Sequence, residues 1–155
     1  MSVPDTALSD LTSLAQGLLA LVLGGVVGWE RERKGKGAGL RTMMLVSFSS
    51  FLLVEVSLVT ESVAASGEAV RTDPIRAIQA VATALGFVGA GIIYKDRAVD
   101  RTRGLTTAAA VLAVSPVGIA VAIGHPVLAI GSTALLVLVL DGGQRFEERF
   151  GPKAP

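Results

Sequence analysis

The side chains that could do chemistry in this sequence are ionisable groups set inside or at the ends of apolar runs. Glu55 lies within MMLVSFSSFLLVEVSLVT and is the one carboxylate well inside such a run. At 1.5 Å per residue it sits roughly 7 Å from the outer end. At that depth it either snorkels to the interface or meets a partner inside the bundle. Gln79, in the following run, lies at a similar depth, and Arg76 slightly shallower. Arg76 also occupies a first helical turn, where the helix dipole disfavours a cation. The sequence therefore predicts contact of Glu55 with Arg76 or Gln79, with snorkelling as the alternative. One carboxylate does not supply the several oxygen ligands that Mg²⁺ or Ca²⁺ requires. The chain has no cysteine, and its single histidine, His125, stands beside Pro126 at a helix start. No nucleophile stands with an acid and a base, so the reading is a non-enzyme without cofactor or metal site.

The elements that hold these groups are apolar helices. Of 155 residues 51% are hydrophobic, and mean hydropathy is +0.62. Five apolar segments can be marked, about Leu11 to Trp29, Met43 to Thr60, Pro74 to Tyr94, Leu105 to Ile123 and Pro126 to Leu140. Four have the roughly 20 residues needed to cross a bilayer, and the fifth is short. The fifth crosses if it extends through Gly142 and Gly143; otherwise it is interfacial or re-entrant. The fold expected is an all-α, polytopic transmembrane bundle of five helices. It divides into residues 1–10 outside, a membrane domain over 11–140 and a short tail over 141–155. Asp5 and Asp10 stand where a secretory signal carries basic residues, so the first apolar run is expected to be retained. Pro116 is expected to kink the fourth helix.

The third segment, DPIRAIQAVATALGFVGAGIIYKD, opens on Asp73 as a cap and Pro74 at the first helical position. Its GFVGAG lacks the order and the strand–turn–helix setting of a nucleotide loop. Ala82, Gly86 and Ala90 recur every four residues with Gly89 and Gly91 beside them, and Gly24 and Gly28 form a G-x-x-x-G pair in the first helix. In lipid, small residues at such spacing allow close helix packing. They predict packing faces within the bundle, toward a membrane-protein partner, or toward a second copy in a homo-oligomer.

Charge sets the orientation. Arg31, Arg33, Lys34, Lys36 and Arg41 lie in or beside the first loop, Lys95, Arg97, Arg101 and Arg103 in the third, and Arg145, Arg149 and Lys153 in the tail. Only Arg71 and Arg76 fall on the other side. The positive-inside rule places the N-terminus outside and the C-terminus in the cytoplasm. Glu30, Arg41, Lys95, Arg103, Thr106 and Thr107 then gather at the cytoplasmic ends of the helices. They form a charged surface suited to docking a protein, an anionic lipid or a phosphate. Cations confined to short loops between spans point to the lipid bilayer, not to nucleic acid. In the tail, Phe146 and Phe150 are spaced for a short helix on the membrane surface.

The ordered set Glu30-Arg31-Glu32, Gly39-Leu40-Arg41-Thr42, Asp73-Pro74 with Arg76 and Gln79, Gly86-Phe87 with Gly89-Ala90-Gly91, and Arg103 to Ala109 resembles the MgtC/SapB family of bacterial membrane proteins. The resemblance implies a multi-pass protein of the bacterial inner membrane. It further implies a role in adaptation to low magnesium through regulation of partner membrane proteins, the F-type ATP synthase among them. Longer relatives carry a soluble C-terminal domain, so a short member without that domain is expected. Three functions follow for testing: a regulatory, partner-binding module, a small ion transporter or channel, and a structural assembly subunit.

Overall fold

The computed structural model describes residues 3–64, 73–96 and 100–150. Five helices account for nearly all of them: α1 (Val3–Arg33), α2 (Leu40–Ala64), α3 (Pro74–Ile92), α4 (Leu105–Ala122) and α5 (Pro126–Phe150). Each contains a stretch long and apolar enough to cross a membrane, so the chain is a multi-pass membrane protein. Between α3 and α4 stands a small antiparallel hairpin of β1 (Tyr94–Asp96) and β2 (Arg101–Arg103), which pairs Tyr94 with Arg103 and Asp96 with Arg101.

The helices differ from the marked apolar segments mainly at their ends. α1 begins at Val3, well before Leu11, and takes Asp5 and Asp10 into the helix. α5 is not short: its 25 residues continue past Leu140, through Gly142 and Gly143, to Phe150. A glycine inside a helix costs about 1 kcal/mol. Ending the helix at Leu140 would free backbone groups at the edge of the bilayer, which costs several kcal/mol per unsatisfied group. The separate tail helix expected around Phe146 and Phe150 is thus the last part of α5. The side chains at those two positions lie outside the described residues.

α4 is the centre of the bundle and packs on all four other helices. Of its apolar stretch 56% is buried, against 11% in α3 and in α5. Ala108, Ala110, Ser115, Gly118, Ala120 and Ala122 make it small on more than one side. At Gly118 an added Cβ would run into the backbone carbonyl of Ser47, so α2 and α4 meet backbone to backbone. α1 approaches α2 in the same way: a Cβ on Gly24 would stand 2.5 Å from the Met43 carbonyl oxygen, and one on Gly28 would stand 2.7 Å from the Leu40 Cα. Around these crossings Val27, Met43, Phe51, Val54, Val111, Val114, Val117 and Val121 are fully enclosed. Ser50 and Ser115 share a buried hydrogen bond of 3.0 Å between α2 and α4. α4 runs as one helix through Pro116, whose ring faces outward.

The small residues of α3 take a different place. Gly89 faces Ala108 of α4, where an added Cβ would stand 3.6 Å from the Ala108 Cβ. Ala82, Gly86, Ala90 and Gly91 are exposed, and a Cβ at Gly86 or Gly91 would meet nothing within 4 Å. The packing spine within the chain is therefore α4 with α1 and α2, not α3. Replacing Gly118 by Ala is expected to destabilise the bundle by about 1–3 kcal/mol through overpacking, whereas Gly86→Ala changes little. Unfolding of both variants in detergent micelles checks the contrast.

Candidate functional site

One end of the bundle is built by the last turn of α1. Gly35, at φ 60°, ends that helix: Lys36 N–H donates to the Arg31 carbonyl (3.0 Å) and Gly35 N–H to that of Glu32 (3.0 Å). This is a Schellman closure, which needs the left-handed conformation at the glycine. The turn leaves the Glu-Arg-Glu triplet directed at three different elements.

Arg31 is 2% exposed. Its Nε donates to the carbonyls of Gly37 and Ala38 (3.1 and 3.2 Å), and its Nη2 to Gly37 O (2.7 Å) and to Thr107 Oγ1 on α4 (2.8 Å). The guanidinium fork thus holds the first loop closed and binds it to the start of α4. Glu32 Oε2 accepts from Leu40 N at 2.8 Å and so caps α2 from a neighbouring helix. Glu30 Oε1 forms an ion pair with Lys34 (2.6 Å) that lacks hydrogen-bond alignment. Lys34 also reaches Asp141 Oδ1 on α5 at 2.7 Å. The hydrogen bond to Asp141, then the contact with Glu30, holds the Lys34 ammonium pKa above the ordinary lysine value, so the link from α1 to α5 stays charged at neutral pH.

Opposite this turn, Gly104 carries the chain from β2 into α4 at φ 90°. A Cβ there would collide with the Ile92 carbonyl, so only glycine fits both the conformation and the space. Between the α1 turn, the hairpin and the end of α5 lies an open cavity of about 790 Å³. Glu30, Arg31, Lys34, Lys36, Arg103 and Thr107 supply its polar lining, with Ile92, Leu105, Val139 and Leu140 as apolar walls.

Of the residues the sequence points to, Glu30, Arg103, Thr106 and Thr107 line this cavity. Arg103 is paired with Asp96 across the hairpin at 3.0 Å. Lys95 pairs with Asp100 at 2.6 Å on the exposed hairpin, and Arg41 is exposed on the first turn of α2; neither lines the cavity. Sequence reasoning passed over Arg31, Lys34 and Asp141 as site residues. The spacing of Glu30 and Lys34 signals their pair, but nothing in the sequence signals that Asp141, 107 positions on, completes it.

The other polar group does not assemble as expected. Asp73 caps α3, accepting from Ile75 N at 3.0 Å, while Arg76 and Gln79 are exposed. Glu55 instead accepts a 2.5 Å hydrogen bond from Ser13 on α1. Ser13 stands at this level within the first apolar span of α1. Among the described residues no cluster of three or more His, Asp or Glu side chains is placed to hold a metal ion.

Five apolar helices around a glycine-packed centre, with a basic cavity at one end, define a polytopic membrane protein of compact α-helical type. The chain belongs to the MgtC family, whose model matches residues 18–149, from α1 to the end of α5. It is 38% identical over 122 residues to an uncharacterized protein of Haemophilus influenzae, covering 78% of this chain and 51% of that one. It is 36% identical over 125 residues to the putative magnesium transporter YhiD of Escherichia coli, covering 80% and 57%. To protein SrpB of Synechococcus elongatus it is 36% identical over 136 residues, covering 84% and 74%. The chain thus spans about half the length of the first two relatives. No solved structure matches it.

Replacing Thr107 by Val leaves one donor of a buried guanidinium unpaired and is expected to cost about 1–3 kcal/mol. Thr106→Val, at an exposed position, is expected to be near neutral. Thermal unfolding of the two variants separates them.

Proposed function

We propose that this protein is a non-enzymatic regulatory module of the bacterial inner membrane that docks a partner membrane protein through its basic end. Its setting is magnesium adaptation. The observation that carries this reading is the division of the molecule into a closed interior and a charged end. Phe51, Val54, Val111, Val114, Val117 and Val121 fill the space between α2 and α4, and Ala20 and Val27 close it on the α1 side. A filled centre supports a packing and docking role over a conduit. At the end where α1 leaves and α2 enters, Arg33, Lys36 and Arg41 are exposed together and make no ion pair among the described residues. Such a surface suits an acidic partner face. Partner proteins of the membrane ATPase class accord with the family resemblance, and the name of the Escherichia coli relative accords with magnesium.

A second reading, a small transporter, draws on that relative's name and on the Glu55–Ser13 pair within the apolar layer. Reconstitution in proteoliposomes discriminates the two. Regulation predicts no ion flux above empty vesicles, and cross-linking in native membranes captures one partner that is lost in Arg41→Ala with insertion intact. Robust flux abolished by Glu55→Gln would reverse the preference.

We further propose that the basic end faces the cytoplasm, since the first and third loops share it with the C-terminal end of α5 and it holds most of the positive charge. A cysteine introduced in place of Lys36 in this cysteine-free chain is expected to resist a membrane-impermeant thiol reagent in intact cells and to react after lysis. Labelling in intact cells would invert the topology.

A further inference from the structure

We propose that the 790 Å³ cavity at the basic end is a binding site for the phosphate headgroup of an anionic phospholipid. Three separate features of the cavity converge on that chemistry.

The first is charge. Arg31, Lys34, Lys36 and Arg103 line the cavity with Glu30 as the one carboxylate of the lining. Asp141 and Glu30 neutralise Lys34, and Asp96 pairs with Arg103 at its Nε. Lys36 is exposed and takes part in no ion pair among the described residues. Arg31 is almost wholly enclosed, yet its hydrogen bonds go to neutral oxygens, two carbonyls and a hydroxyl. Its charge is balanced through space by Glu30, the second carboxylate beside Lys34, so Lys36 supplies the uncancelled positive charge of the wall.

The second is the start of α4. Gly104 brings no side chain to cap this 18-residue helix, and the first intrahelical bond is made by Ala108 to the Gly104 carbonyl. The N–H groups of Leu105, Thr106 and Thr107 therefore lack helical acceptors, and all three residues line the cavity. Uncapped N–H groups at the positive end of a helix suit phosphate oxygens.

The third decides between a lipid and a soluble phosphate. The cavity is not polar throughout: Ile92, Leu105, Val139 and Leu140 form one side, at the ends of three apolar spans. Leu105 and Val139 are 57% and 70% exposed. An inorganic ion would leave this wall uncovered. A phospholipid places its phosphodiester against the cations and N–H groups while the glycerol and the first acyl carbons run along the apolar side, which continues into the bilayer between α3 and α5. Basic pockets between membrane helices on the cytoplasmic side hold anionic headgroups in this way.

The inference rests on the cavity and not on partner docking, so the two can fail separately. The test uses the full chain in micelles of a neutral detergent, with bound phosphatidylglycerol and phosphatidylcholine counted by native mass spectrometry. Phosphatidylglycerol is expected to bind preferentially. Lys36→Gln is expected to weaken it about fivefold, and Lys36→Gln with Arg103→Gln on the order of twentyfold. Arg33→Gln, an exposed cation of the same end outside the cavity, is expected to leave it unchanged. Should the double variant not fold, Lys36→Gln alone carries the test, because among the described residues that side chain makes no ion pair that folding could need. Equal binding of the two lipids, or an equal loss in Arg33→Gln, overturns the site. Displacement of the lipid by excess inorganic phosphate assigns the cavity to a soluble anion and overturns the lipid assignment.

Discussion

The backbone approach of α4 to α2 at Gly118 is the constraint on which the rest of the bundle depends. Lipid offers helices no hydrophobic drive toward one another, so association must come from van der Waals contact and from hydrogen bonds between helices. Gly118 lets α4 come down on the Ser47 carbonyl, and Gly24 and Gly28 let α1 come down on the first turns of the same α2. Once those three backbones are close, the valines and Phe51 can fill the remaining space without gaps, and Ser50 can reach Ser115. α3 and α5 then lie against the outside of α4, mostly exposed. The order of assembly in space is thus set by where side chains are missing.

The basic end follows from the same centre. Because α1, α2 and α4 are fixed close together, the three consecutive residues Glu30, Arg31 and Glu32 can each serve a different neighbour. Glu30 reaches α5 by way of Lys34, Arg31 reaches the first loop and α4, and Glu32 reaches the open N-terminus of α2. Much of the charge that looks like a surface for others is therefore consumed within the fold. What remains for a partner is Arg33 and Arg41, what remains for a ligand is the cavity behind them, and Lys36 borders both.

The five spans, the cap at Asp73, the pairing of Glu30 with Lys34 and the close packing at Gly24 and Gly28 were legible because each is a local pattern: a run of apolar residues, a cap before Pro74, an interval of four. Family membership was legible in the ordered motifs from Glu30 to Ala109. The partner of Glu55 was not, since depth in the bilayer gives a level but no azimuth, and Ser13 on α1 faces Glu55 as well as any group on α3 could. The role of α3 was misjudged for a related reason. A run of small residues states that a helix can be approached closely, but not by what, and within this chain α4 takes the centre. The hairpin escaped notice because three-residue strands carry no periodicity, and Asp141 because its partner is remote in sequence.

Gly104 and Gly118 together have a mechanical consequence. At these two points, about 21 Å apart along the axis at 1.5 Å per residue, any side chain on α4 would strike a carbonyl of another segment, Ile92 at one end and Ser47 at the middle. A rod held at two points by hard contact can neither slide nor turn about its axis without lifting off both. α4 is therefore the stator of the molecule. Motion that answers a ligand or a partner is left to α5, whose glycines meet no neighbouring segment within 4 Å.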